Sequence, residues 1–201
     1  GYDLIAEALS GFMSVTGESE GDGMRAGVAI GDITAGMLAT STILAALRHR
    51  ERTGEGQLVE VPMLETMLSF NLMEHLWGAA LNHPRGPIGY PRPYMRERRP
   101  FPTRDGELCI MAHSDEQWAR LLTVLGLPEV AHDPRFAKLV DRSHHFPELY
   151  AHVAERIATR TTADWQAILD SADIPNGRVH ELEDLLTDDY LAATGFFVDY
   201  E

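Results

Sequence analysis

Residues 26–57 read AGVAIGDITAGMLATSTILAALRHRERTGEGQ, and the punctuation of this stretch decides the fold around it. A short apolar run, Val28 to Ile30, stops at Gly31, and Asp32 follows directly. From Ile33 to about Arg50 the chain is rich in Ala, Leu and Met, residues that favour helix. Arg48, Arg50 and Arg52 then complement the negative end of the helix, and Gly54 and Gly56 stop it. Asp32 falls where an N-cap belongs, its carboxylate facing the unpaired N–H groups of the first turn. A negative charge is favoured at that end, so the placement suits both a helix cap and a nucleophile. Motif shape alone favours the cap. Gly31 clears the space beside the carboxylate, and Gly36 and Ala39 thin one helix face for close approach.

To the N-terminal side, Tyr2 to Leu9 reads as an amphipathic helix closed by Ser10–Gly11. Thr16 to Gly27 is a polar, glycine-rich loop. Its one cation, Arg25, reads as a solvated loop charge, with a phosphate contact as the alternative. To the C-terminal side, Leu58 to Met63 alternates apolar and polar like a strand, with Pro62 placing it near an edge or an end. Leu64 to Leu81 then reads as a long apolar helix carrying Met67, Phe70, Met73 and Trp77, with His75 packed in its core. The apolar faces of these two helices are too wide for a chain of this length to cover, so a partner layer is expected.

Residues 82–98 change character. This stretch is rich in proline and arginine and reads as a linker between one part, 1–81, and another, 99–201. Its basic cluster, Arg92, Arg96, Arg98 and Arg99, with His83 nearby, suits a carboxylate or phosphate ligand and a solvated linker equally well. Beyond it, Arg99–Thr103 and Glu107–Ala112 read as strands joined by Asp105–Gly106, a hairpin signal. Ser114 and Gln117 form a capping box for a helix to Leu125, closed by Gly126 and Pro128. Pro147 starts a helix to about Ala158, and Thr161 with Asp164 opens another to about Ser171. Pro175–His180 turns into a short strand, and Leu182–Leu186 and Asp189–Ala193 are short helices. The second part is thus a small α+β unit of mostly antiparallel strands covered by helices.

Composition narrows the function classes. With 44% hydrophobic and 24% charged residues among 201, the chain can bury a core. A net charge of −14 argues against nucleic-acid or anionic-membrane partners. A single cysteine, Cys109, leaves no internal disulfide and fits a reducing cytoplasm; it reads as a small apolar strand residue. No apolar run approaches transmembrane length and no signal peptide is visible. The chain opens at Gly1 inside a motif and reads as a piece of a longer protein. His113, His132, His144, His145, His152 and His180 define no metal spacing. There is no G-x-S-x-G elbow, and Gly21–Asp22–Gly23 is no phosphate loop.

GYDLIAEALSG (1–11), MSVTGE (13–18), the Gly31–Asp32 pair and RTGEGQLVEVPMLE (52–65) occur in this order, followed by RRPFPTRDGEL (98–108), DIPNGRV (173–179) and LAATGFF (191–197). Each piece alone is weak, but the ordered set resembles the class III CoA-transferases, which include formyl-CoA and carnitine CoA-transferases and the α-methylacyl-CoA racemases. The resemblance implies an α/β fold: part of a Rossmann-like, CoA-binding large domain followed by the small α+β domain, in an interlinked-ring homodimer. It implies that Asp32 is the catalytic nucleophile, which takes CoA from an acyl-CoA donor and passes it to a small carboxylic acid, with no tightly bound cofactor. It also implies that Tyr2, Asp3, Gly31 and Met63 line the acyl-CoA pocket, and that backbone N–H groups near Gly31 stabilise charge on the carbonyl oxygen.

Two departures from the family pattern narrow the expectation. The racemases carry an acid/base histidine at the position of Tyr2, which makes the racemase or epimerase the runner-up. The glycine-rich loop that closes over the site in formyl-CoA transferase has no counterpart here. GPIGYPRPYMRERRPFPTRDG (86–106) occupies its place and weighs against the formyl/oxalate pair. A non-catalytic dimerisation or interaction homologue is the third reading.

Overall fold

A computed structural model describes residues 1–17, 22–83, 85–86, 88–90 and 97–200. The chain divides into two compact units, Gly1–Arg98 and Arg99–Glu201.

The first unit packs three helices together: α1 (Asp3–Leu9), α2 (Ile30–Thr53) and α3 (Met63–His75). Gly11, at φ 76°, ends α1 by turning the chain into a single 3₁₀ turn, Phe12–Val15. Gly54 ends α2 in the left-handed conformation, its N–H donating to the Arg50 carbonyl at 2.8 Å, as a C-terminal glycine does. The helices meet around Ala6, Gly31 and Met67, and Asn71 Nδ2 donates to the Ser10 carbonyl at 3.1 Å to tie α3 to the end of α1.

The helix after Pro62 is shorter than its apolar pattern predicts. It stops at His75, because Trp77 adopts φ 41°, which a non-glycine residue rarely does, and a 3₁₀ turn follows over Trp77–Ala80. His75 is buried, its Nδ1 accepting from the Tyr90 N–H at 3.2 Å, and Trp77 stacks on Tyr90 with ring centroids 4.5 Å apart.

Residues 58–62 form no strand. They are extended, but a strand requires a neighbour to complete its ladder, and none of the described residues pairs with them. Leu58 is left 85% exposed. Helices are therefore the regular elements of the first unit among its described residues, and the expected Rossmann-like sheet is not among them. Both long helices leave apolar side chains in the open: Met37, Ile43 and Leu44 on α2, Phe70 and Met73 on α3. By length and composition α2 also reaches what a membrane span needs: it has 24 residues, and an 18-residue stretch of it has a mean hydropathy of 1.5. The expectation of no such run is corrected here, because Ala, Leu, Ile and Met between Ile33 and Leu47 outweigh its small hydroxyl residues. Core helices of soluble proteins meet the same criterion, and α2 joins α1 and α3 in one packed unit.

The second unit is built on a three-stranded antiparallel sheet, β1 (Phe101–Pro102), β2 (Glu107–Ile110) and β3 (Asn176–Arg178), in the order β1-β2-β3. Phe101 pairs with Leu108, and Leu108 with Arg178. Alternation along β2 buries Leu108 and exposes Cys109. Cys109 is thus a strand residue on the open face, not a core one. The strands are shorter than their apolar runs, and β1 keeps only two residues.

Helices α4 (Asp115–Val124), α8 (Phe146–Ile157) and α9 (Thr162–Ser171) cover the core. The Ser114–Gln117 capping box opens α4 with both reciprocal bonds formed, and Thr161 caps α9 by accepting from the Asp164 N–H. On α8, Phe146, Leu149, Val153 and Ile157 recur at helical spacing and are all buried. Between α4 and α8 lie three short helices the apolar pattern does not announce: α5 (Pro128–His132), α6 (Pro134–Ala137) and α7 (Leu139–Ser143). Each has too few residues for periodicity to show. They deliver Arg142, fully buried, whose guanidinium donates to Asp115 Oδ1 and to the Phe136 carbonyl, each at 2.8 Å, and lies over the Trp118 ring. A last helix, α10 (Asp189–Thr194), ends at Gly195, φ 62°.

The Arg142 hydrogen bond holds the Asp115 carboxyl below its ordinary value of 3.8, and Arg135 does the same for Asp133. A carboxyl lowered in the folded state favours folding above its unfolded pKa, and that contribution disappears as pH falls through the folded value. The thermal midpoint of the full-length protein should therefore fall as pH drops from about 5 toward about 2. Asp115→Asn should lower the midpoint at neutral pH by a few degrees and make the acid fall shallower. Calorimetry across this pH range checks both.

Candidate active site

The helix that carries Asp32 starts three residues earlier than its sequence implies. Its N-cap is Ala29, whose methyl side chain cannot accept a hydrogen bond, and Asp32 is the third helical residue. Asp32 is therefore not the cap. It is exposed and its side chain has no hydrogen bond or ion pair among the described residues.

The cap comes from another helix. Asp3 Oδ1, on α1, accepts from the Gly31 N–H at 2.8 Å. This contact explains the glycine: a Cβ at Gly31 would lie 3.1 Å from Asp3 Oδ1 and 3.5 Å from Met63 Sδ, at the start of α3. Three helix beginnings thus meet at one point, with Asp32 next in the chain. Asp3, Gly31 and Met63 come together there. Tyr2 does not: it is the N-cap of α1, its carbonyl accepting from Ile5 and Ala6, and its side chain is 82% exposed.

Helix α1 is built inside out. Its apolar residues Leu4, Ile5 and Leu9 are exposed, whereas Asp3, Ala6 and Glu7 are buried. Two carboxylates one turn apart repel each other and lose hydration on burial, so the face needs partners. Arg25 supplies them. Its Nη2 lies 3.2 Å from Asp3 Oδ2 and its Nε 3.6 Å from Glu7 Oε1, while the Ala26 N–H donates to Glu7 Oε2 at 2.9 Å. Arg25 is therefore an ion-paired residue and not a solvated loop charge. Burial pushes the Asp3 carboxyl up, but the hydrogen bonds from the Gly31 amide and the Arg25 guanidinium outweigh it and hold the carboxyl below its ordinary 3.8.

The expected donors for a carbonyl oxygen are mostly taken. Gly31 N–H is held by Asp3, Ile30 N–H donates to the Val28 carbonyl at 2.8 Å, and Ile33 N–H to Ala29 at 3.0 Å. Among the described residues, the N–H of this turn left without an acceptor is that of Asp32 itself.

Glu7 and Arg25 were not legible as site residues. The one available signal was the Asp3–Glu7 spacing within an otherwise apolar helix, which asks for a cation elsewhere in the chain. Of the basic linker cluster, Arg92 and Arg96 lie outside the described residues. In the second unit, a polar cleft of about 500 Å³ is lined by Asp105, Glu107, Thr162, Arg178, Glu181 and Asp184. Four of these side chains are engaged with one another: Asp105 Oδ1 accepts from the Thr162 N–H at 2.8 Å and from its hydroxyl at 3.1 Å, and Arg178 donates to Asp184 at 2.6 Å. Among the described residues, no three His, Cys, Asp or Glu side chains converge as a metal site.

Known proteins bear on this arrangement. CoA-transferase family III matches residues 1–201. The chain is 32% identical over 201 residues to a succinate–glutarate CoA-transferase of Agrobacterium fabrum, covering 100% of this chain and 50% of that protein. It is 31% identical over 210 residues to the succinyl-CoA:glutarate CoA-transferase of Mus musculus, covering 99% and 46%. Among solved structures, a CAIB/BAIF family protein from Brucella suis superposes with a TM-score of 0.80 at 29% identity, over 99% of this chain and 53% of that one. The chain thus spans about half the length of the relatives it matches. With the family pattern running from the first residue to the last, and the helix start that bears Asp32 built from residues of its motifs, this chain belongs to CoA-transferase family III.

Proposed function

We propose that this protein transfers CoA from an acyl-CoA to a small carboxylic acid, with Asp32 as the covalent nucleophile. One observation carries the reading: Asp32 stands unpaired and exposed in the first turn of α2, on a turn locked by Asp3, Gly31 and Met63. Among the described residues nothing occupies this carboxylate, so it is open to a substrate.

The Asp32 carboxylate attacks the thioester carbonyl, expelling CoA thiolate and forming a mixed anhydride. The thiolate then attacks the aspartyl carbonyl, releasing the donor acid and leaving an aspartyl-CoA thioester. The incoming carboxylate attacks that thioester, and the returning thiolate takes the new acyl group and restores Asp32. No net proton transfer is needed, which agrees with the absence of a histidine at Tyr2. Charge on the carbonyl oxygen finds the Asp32 N–H and the positive end of α2. Met63 forms the neighbouring wall.

The relatives named for succinate, glutarate, mesaconate and oxalate make short dicarboxylates the first acceptors and donors to test. The unpaired residues 58–62 and the open apolar faces of α2 and α3 support a Rossmann-like large domain completed by further chain. They also support a homodimer of the interlinked kind; the proposal further places the enzyme in the cytoplasm, with acyl-CoA as substrate and no resident cofactor.

Asp32→Ala should abolish turnover of the full-length enzyme, and Asp32→Asn should do the same while keeping the fold, since neither side chain has a structural partner to lose. Trapping with hydroxylamine or borohydride during turnover, followed by peptide mapping, should place the label on Asp32. Label elsewhere, or near-normal activity in both variants, overturns the assignment. Gly31→Ala should cost about tenfold to a hundredfold in turnover, because its Cβ displaces Asp3 or Met63; kinetics and a melting curve together separate this from unfolding. In deuterium oxide, a 2-methylacyl-CoA should undergo CoA exchange without α-deuteration. Rapid α-deuteration without CoA exchange would establish a racemase instead.

A further inference from the structure

We propose that Arg25 is a positioning residue for the nucleophile: braced by Glu7, it holds Asp3 against the Gly31 amide and so fixes the turn that presents Asp32. The inference rests on Asp32 being the nucleophile. It concerns a loop residue, 22 positions from Asp3 in the chain, that touches neither Asp32 nor the substrate wall.

The chain of contacts runs in one direction. Glu7 is fully buried, and its Oε1 has no hydrogen bond; its partner is Arg25 Nε at 3.6 Å. The other oxygen takes the Ala26 N–H, so Glu7 anchors both the side chain of Arg25 and the backbone that follows it. Held there, the guanidinium presents Nη2 to Asp3 Oδ2 while Asp3 Oδ1 receives the Gly31 N–H. Asp3 is 7% exposed, and its Oδ1 lies 3.1 Å from where a Cβ at Gly31 would stand. Without Arg25, two buried carboxylates one turn apart face each other with no cation. Asp3 then relieves the repulsion by turning toward solvent or taking up a proton, and either change weakens its hold on Gly31. The methyl side chain of Ala29 cannot replace that hold. The Gly31–Asp32 peptide is then free to shift, and displacement of a reacting group by about 1 Å costs on the order of a hundredfold in rate.

Lysine cannot substitute for this geometry. An ammonium is a single point donor on a flexible stem, whereas the two carboxylates are bridged from separate nitrogens of one rigid fork. Arg25 is also about half exposed, with 53% of its side chain accessible, so its truncation leaves no large cavity in the core.

The test compares full-length wild type with Arg25→Ala and Arg25→Lys by two readouts. Hydrogen exchange, read by mass spectrometry on peptides covering residues 27–33, should be about tenfold faster or more in both variants. Single-turnover mixing with succinyl-CoA should form the covalent adduct on Asp32 about tenfold to a hundredfold more slowly, with full final stoichiometry and little change in the KM for acyl-CoA. A merely structural Arg25 would lower the melting temperature and the fraction of protein that reacts, at an unchanged rate constant, and that result overturns the proposal. If wild type labels Asp32 but exchange in 27–33 is the same in all three proteins, the clamp is refuted while the nucleophile stands. If wild type labels another residue, the nucleophile assignment fails and takes the positioning role with it.

Discussion

The contact between the Asp3 carboxylate and the Gly31 amide is the constraint on which the first unit depends. A helix start leaves its first N–H groups without partners, and the usual remedy is a serine, threonine or aspartate just before the helix. Here the preceding residue is Ala29, and the acceptor is brought from a helix 28 residues away in the chain. The substitution has a geometric consequence. A local cap would place its own side chain over the first turn. A remote one leaves that turn's outer face open, and there Asp32 stands.

The arrangement also explains why α1 buries its acids and exposes its leucines. An apolar contact against α2 would pack the two helices but could not accept a hydrogen bond from Gly31. Burying a carboxylate instead demands compensation, and a lone pair of acids one turn apart would destabilise the face. Arg25 and the Ala26 amide complete the set, so that loop, α1 and α2 are joined by charge-assisted bonds. The second unit meets a similar demand differently. Arg142 is buried with its carboxylate partner Asp115, two backbone carbonyls and the Trp118 ring around it. It ties α6, α7 and the start of α4 together where apolar contacts alone would be few.

The longest helices of the two units differ in how much apolar surface they leave open. In the second unit α8 and α9 turn their large residues inward, and Phe146, Leu149, Trp165 and Leu169 are buried. In the first unit α2 and α3 keep much of theirs in the open, and residues 58–62 extend with no partner strand. Both features have one physical meaning: backbone and side chains shaped for a layer that the described residues do not include. The relatives, about twice as long, are consistent with such a layer.

Much of the architecture was already determined by the sequence, because local bonds decide it. The Ser114–Gln117 box, the Thr161 cap, the hairpin at Asp105–Gly106 and the glycine stops at Gly54 and Gly126 all act within a few residues, and each falls where its motif stands. The family pattern likewise singles out Asp32, Asp3, Gly31 and Met63. Tertiary structure decided what distance along the chain conceals. Asp32 is not a cap, because the cap is Asp3; Arg25 is not free, because two carboxylates await it; Leu58–Met63 is not a strand, because a strand is made by its neighbour. Each depends on groups 18 or more residues apart, or on a partner outside the described chain, and neither periodicity nor cap chemistry carries information over that range.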